Sequence, residues 1–139
     1  MNASSEERSA SIQLTALLIA MGGYFVVASQ MAAADITALP AYVPLFIVAV
    51  VVQVVLLIVG HVLSAIGGDG NESDERDRLI AWRAEARSSW VVGVGVLLGI
   101  TGLVLEVETV LVAHLLLLSM FASELLKNVL QLLDYRRGV

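Results

Sequence analysis

Four polar side chains, Glu124, Asn128, Gln131 and Tyr135, recur every three or four residues near the end of the chain and therefore line one face of any helix formed there. Lys127 lies beside Glu124 at i+3, within reach of an ion pair. A carboxylate inside an apolar stretch is costly in hydrocarbon and normally faces protein or water, which makes Glu124 a candidate buried site. Three chemistries compete for it: proton coupling in a small transporter, structural pairing with Lys127 or a neighbouring helix, and a neutral acid that donates one hydrogen bond. Coupling calls for a second polar group deep in a facing helix. The second apolar stretch offers only Gln53 near its middle, and the first only Ser29 and Gln30 toward its end, so the pattern favours structural pairing.

The remaining reactive residue types are sparse. Cysteine is absent, which removes disulfides, thiolate ligands and a cysteine nucleophile together. His61 and His114 fall toward opposite ends of different apolar stretches, so they are expected to be separate hydrogen-bonding residues and no metal site is anticipated. Glu106 and Glu108 place two carboxylates in one short turn, but a single turn supplies fewer oxygens than calcium takes, and the charges serve to keep the turn in water. No phosphate-cradling glycine loop, metal-binding helix motif or nucleophile elbow occurs, so neither an enzymatic activity nor a cofactor is expected. The basic residues are few and interleaved with acids, which argues against direct nucleic-acid binding.

The elements that carry these residues are four long apolar stretches, at about 12–34, 43–66, 88–105 and 109–133. A helix of roughly 20 apolar residues crosses a hydrocarbon core about 30 Å thick, and the third stretch reaches that span with the help of Ser88 and Ser89. With 58% hydrophobic residues in 139, too little polar surface remains to cover four such helices in water. The expected architecture is all-α: one integral membrane domain over 1–139, a four-helix bundle in a lipid bilayer. The opening segment is acidic through Glu6 and Glu7 and precedes an apolar run too long for a signal core, so it is not read as a cleavable signal.

Lys and Arg fall in alternate gaps or at the tail end of the fourth stretch. Arg8 precedes the first span, Arg76, Arg78, Arg83 and Arg87 lie between the second and third, and Lys127, Arg136 and Arg137 close the fourth. The other two connections have none. Basic residues near span ends are retained in the cytoplasm, so both termini and the central loop are expected on the cytoplasmic face of a bacterial inner membrane. Pro40 and Pro44 suit the start of a helix, placing the beginning of the second span beside them.

The central loop opens with Gly67, Gly68, Asp69, Gly70 and Asn71, a flexible terminator. Ser73 then serves as an N-cap, acids at Asp74, Glu75 and Asp77 occupy the first turn, and Arg83 and Arg87 the last, an order that complements a helix dipole. Asp74 and Arg78 have the spacing of a supporting ion pair. Leu79, Trp82, Ala86 and Trp90 form one apolar edge. The loop therefore reads as a short amphipathic cytoplasmic helix between spans two and three that runs along the inner membrane surface, or projects from it, before joining the third span, an interfacial anchor that is also available as a docking surface. Within the spans, Gly95 and Gly99 form a GxxxG pair, and Ala16 with Ala20 and Ala28 with Ala32 repeat the spacing; such faces pack closely either inside one subunit or between two.

The segment DERDRLIAWRAEA at 74–86 and the ending SELLKNVLQLLDYRRGV at 123–139 resemble those of a broad group of small four-span bacterial membrane proteins. Similar proteins are encoded beside small DNA-binding regulators, as in the LytTR-type regulatory pairs, where a membrane protein restrains a transcription factor. The resemblance implies a regulatory membrane partner. Short outer loops and polar material concentrated on the cytoplasmic side fit that implication, so the leading expectation is a non-enzymatic regulator, a homodimer, that sequesters a cytoplasmic transcription factor on Asp74, Arg76, Arg78, Arg83, Arg87, Tyr135, Arg136 and Arg137. A small proton-coupled transporter working through Glu124 and a structural subunit of a membrane assembly are the alternatives.

Overall fold

The computed structural model describes residues 5–66 and 75–137, and these form five α-helices: α1 (Ser5–Ala33), α2 (Val43–Ile66), α3 (Glu75–Ser88), α4 (Trp90–Val104) and α5 (Thr109–Arg137). A single 3-10 turn, Leu39–Tyr42, leads into α2, with Pro40 at its start, where the missing N–H has no helical acceptor to lose.

The chain makes four long rods, each apolar enough to cross a membrane, and it is a multi-pass membrane protein in a lipid bilayer. Two rods are single helices, α1 and α5, and α2 extends its length through the preceding 3-10 turn. The fourth is composite. The Ser89 N–H donates to the Glu85 carbonyl at 3.0 Å, the Gly93 N–H to the Ser89 carbonyl at 3.4 Å, and Ser89 itself keeps helical dihedrals, so α3 and α4 form one rod over Glu75–Val104. The amphipathic helix anticipated between spans two and three is therefore not seen as a separate element; of its two expected placements, one along the membrane surface and one projecting from it, a continuous rod fits the second. No Gly or Pro lies between Arg87 and Trp90 to break the helix, and the polar half simply continues the span. At 30 residues the rod is about 45 Å long, well beyond a hydrocarbon core of about 30 Å.

The rods pack as an open row rather than a closed ring. α5 touches α1 on one side and both α3 and α4 on the other, α1 also packs on α2, and α2 has no substantial packing against α3, α4 or α5. Small residues set the spacing. A Cβ at Gly95 would overlap the Ser119 side chain; one at Gly99 would stand 2.8 Å from Leu116 and one at Gly102 3.2 Å from Val112. Gly60 of α2 likewise receives Ile12 of α1, 2.5 Å from where its Cβ would be. Ala16, Ala20 and Ala28 of α1 are buried, whereas Ala32 is exposed. Lipid tails are as apolar as leucine, so close backbone approach and dispersion hold such helices together. Val, Leu and Ile cover the outward faces; Ala49 is the buried residue of α2, which leaves that helix to the bilayer around most of its girth.

Both membrane hairpins end a helix in the same way. Asp35 (φ 58°) and Glu106 (φ 55°) adopt the left-handed conformation. The following amides close back on the preceding turn, Ile36 N–H to the Met31 carbonyl at 3.2 Å and Val107 N–H to the Gly102 carbonyl at 2.9 Å. These are Schellman caps built on acidic residues where glycine is usual.

Candidate functional site

Two regions gather polar side chains, one at each end of the rods. At the end where α1 begins and α5 finishes, α3 lies along the second half of α5. The seam on α3 is Ile80, Ala84 and Ser88, spaced by four and all buried; Ser119, Ser123, Asn128, Gln131 and Asp134 are the buried polar positions of α5. The Ser123 hydroxyl donates to the Ser88 backbone carbonyl at 3.0 Å, and the Arg87 guanidinium meets the Asp134 carboxylate at 3.4 Å. Asp134 is only 8% exposed and Arg87 51%, so the ion pair has one buried and one wet member.

The polar face expected on α5 is split by this packing. Asn128 is 1% exposed, donates its Nδ2 to the Glu124 carbonyl at 2.8 Å and leaves Oδ1 buried without a hydrogen-bond partner. Gln131 is buried too, and Tyr135 is half-buried. Glu124 pairs with Lys127 at 2.7 Å, the structural pairing favoured from their spacing, but on the outside of the helix, with its side chain 48% exposed and not buried as a candidate inward site. The preceding turn of α5 gives the inward positions to Ser119 and Ser123, which the glycines and serines of the α3–α4 rod can accommodate; a longer carboxylate has no room there.

The docking residues expected from the sequence fall on the outer surface of the same two-helix stalk. Arg76, Arg78 and Arg83 are exposed on α3, and Arg136 and Arg137 at the end of α5; Asp74, with its expected cap Ser73 and its pairing to Arg78, lies outside the described residues, as does the glycine-rich segment before it. The apolar edge of α3 does not face α5. Leu79, Trp82, Ala86 and Trp90 point outward, with Trp82 75% exposed, and a groove of about 470 Å³ lined by Glu75, Arg78, Leu79, Ala81 and Trp82 runs along this side. Seven residues separate Arg76 from Arg83, two turns of helix, so both guanidinium groups flank the same edge of that apolar strip.

At the opposite end, where the two hairpins turn, the structure assembles a cluster that spacing alone does not disclose. Tyr24 of α1 and His114 of α5 hydrogen bond at 3.0 Å with their rings stacked at 5.8 Å, and Tyr42 meets the His114 ring edge-on at 4.7 Å. The Tyr42 hydroxyl donates to the Ile36 carbonyl at 2.7 Å. Nδ1 of His114 stands 2.7 Å from the Val110 carbonyl, which only accepts; Nδ1 therefore carries the proton and Nε2 is free to accept from Tyr24. The sequence signal for it is the placement of tyrosines at 24, within the first apolar stretch, and at 42, just before the second, with a histidine at 114. His61 is used differently, bonding the Leu57 carbonyl at 2.7 Å and Ser9 at 3.2 Å near the termini end. No group of three potential metal ligands occurs among the described residues.

Fold and sites together define a helical multi-pass membrane protein with a charged two-helix stalk at one end and an aromatic cluster at the other. No family model, curated protein or solved structure matches the chain.

Proposed function

We propose that the protein is a non-enzymatic membrane regulator that binds a cytoplasmic DNA-binding transcription factor and holds it at the bilayer. The observation that carries this reading is the stalk: α3 and the end of α5 continue the spans as a packed, charged pair, and they present Leu79 and Trp82 outward between exposed arginines. An exposed tryptophan beside guanidinium groups is the composition of an interface anchor, since Trp and Arg dominate binding hot spots. The asymmetry of Lys and Arg supports a cytoplasmic location for this end.

The buried seam supports the same role. Ile80, Ala84 and Ser88 hold α3 against α5, so the outward face is displayed on a rigid element, which lowers the ordering cost of binding. The transport alternative draws less support, because Glu124 is paired with Lys127 on the outer surface of α5.

Detergent extraction of the tagged full-length protein from its native cells, followed by identification of co-purified proteins, tests the proposal. Recovery of a DNA-binding protein, weakened at least tenfold by the Arg76→Glu/Arg83→Glu double substitution, is the expected result. Repeated recovery of no soluble partner, or a complex indifferent to both the charge reversal and Trp82→Ala, overturns it.

A further inference from the structure

A cleft of about 410 Å³ opens between α1, α5 and the 34–42 connection at the hairpin end. Its walls are Phe25, Ile36, Tyr42, Val110 and His114, and two carboxylates, Asp35 and Glu108, belong to its lining. We infer that this cleft is a binding site for an organic cation with an apolar body.

The charge of this end is one-sided. No Lys or Arg occurs between Arg8 and Arg76 or between Arg87 and Lys127, while Asp35, Glu106 and Glu108 all fall in the two hairpin connections. A ligand entering here meets carboxylates without basic neighbours, and low-dielectric walls focus that field. Anions are excluded on the same ground.

The walls decide what kind of cation fits. His114 has both ring nitrogens engaged, with Val110 and Tyr24, and Tyr42 is fixed through its hydroxyl to Ile36, so these residues offer ring surfaces in set positions and not free polar groups. Phe25 adds a third ring, itself packed against Tyr24 at 5.3 Å and Phe121 at 5.8 Å. Pre-positioned aromatic faces beside a carboxylate are the arrangement that recognises quaternary ammonium and related soft cations. A bare metal ion would need more oxygens than two carboxylates bring.

A second cavity, about 270 Å³, lies on the far side of the Tyr42–His114 contact, lined by Tyr24, Leu39, Val43, Phe46, Ala113 and Leu117 together with those two rings. It contains no charged residue. The two spaces, one acidic and one apolar, share a wall, which matches a ligand with a charged head and a greasy remainder. The volume of the acidic cleft lies within the usual range of roughly 300–1,000 Å³ for small-molecule sites.

The site is at the other end of the molecule from the docking stalk, so its test is independent of that reading. Full-length protein in phosphatidylcholine nanodiscs is titrated with radiolabelled tetraphenylphosphonium and, in a separate series, with the isosteric anion tetraphenylborate. Saturable binding of one cation per chain is expected, with no saturable binding of the anion, and Asp35→Asn/Glu108→Gln weakens the cation's binding about tenfold or more. Asn tolerates the left-handed backbone at position 35, and Glu108→Gln alone, expected to weaken binding severalfold, serves if the double variant fails to fold. Glu106→Gln, a carboxylate of the same end outside the cleft, leaves affinity within about twofold. Equal affinity in the wild type and the Glu108→Gln variant, or saturable binding of tetraphenylborate alone with the affinity of the cation, shows apolar partitioning or a lipid chain in the cleft and overturns the inference.

Discussion

Gly95 and Ser119 face each other so closely that a β-carbon on the glycine would coincide with the serine side chain. The contact joins α4 to α5 and fixes the register in which Gly99 meets Leu116 and Ser88 meets Ser123. The GxxxG pair is thus spent within the subunit.

Gly95→Ala should destabilise the protein by about 1–3 kcal/mol, because the added methyl has no void to occupy. Ser119→Gly in the same chain should restore part of that loss. A double-mutant cycle measured by unfolding in mixed micelles checks this, with a coupling of about 0.5–3 kcal/mol expected for groups in contact. Strict additivity would show that the helices do not meet in this register.

Arg87 and Asp134 should respond unequally to substitution. Arg87→Ala leaves a nearly buried carboxylate without its cation, and should cost about 1–2 kcal/mol. Asp134→Asn leaves a guanidinium that is already half in water, and should cost about half as much. Chemical denaturation of the two variants beside the wild type measures the order, and a larger loss from Asp134→Asn would contradict the burial seen here.

Glu106→Gly should stabilise the α4–α5 hairpin by about 0.5–1 kcal/mol. Relief of the left-handed strain, worth about 1–2 kcal/mol, exceeds the added backbone entropy of glycine, about 0.5–1 kcal/mol. The thermal midpoint of the purified protein is the readout. No gain would mean that the Glu106 side chain makes a compensating contact.

Glu124→Gln should leave the helix packing intact, because the carboxylate meets Lys127 on the outside of α5 and holds no helix against another. In proteoliposomes it should leave proton flux at the level of the unsubstituted protein. Loss of a pH-dependent flux on this substitution would instead favour the coupled-transport alternative over the regulator proposed here.

Much of the architecture is legible in the residues one stretch at a time. The four apolar stretches became the four rods, and Pro40 marks the turn that leads into α2. The seam of α3 is not legible from hydropathy, because Leu79, Trp82 and Ala86 are the larger apolar set and Ile80, Ala84 and Ser88 the smaller. Against α5 the smaller set wins, since Ala84 and Ser88 let the backbones approach and Ser123 reach a carbonyl. The same competition moved Glu124 outward and Asn128 inward.

By itself the sequence determined the class of protein, the number of long rods and the placement of basic residues in alternate gaps or at the tail end of the fourth stretch. Length and hydropathy settle these because each is a property of a single helix and its solvent. Only the tertiary structure decided which glycines face which serines, that α3 and α4 are one rod, and that Tyr24, Tyr42 and His114 converge on a cleft between acidic hairpins. Those outcomes depend on the register between helices up to 90 positions apart, as for Tyr24 and His114, and close packing fixes that register through the fit of whole surfaces.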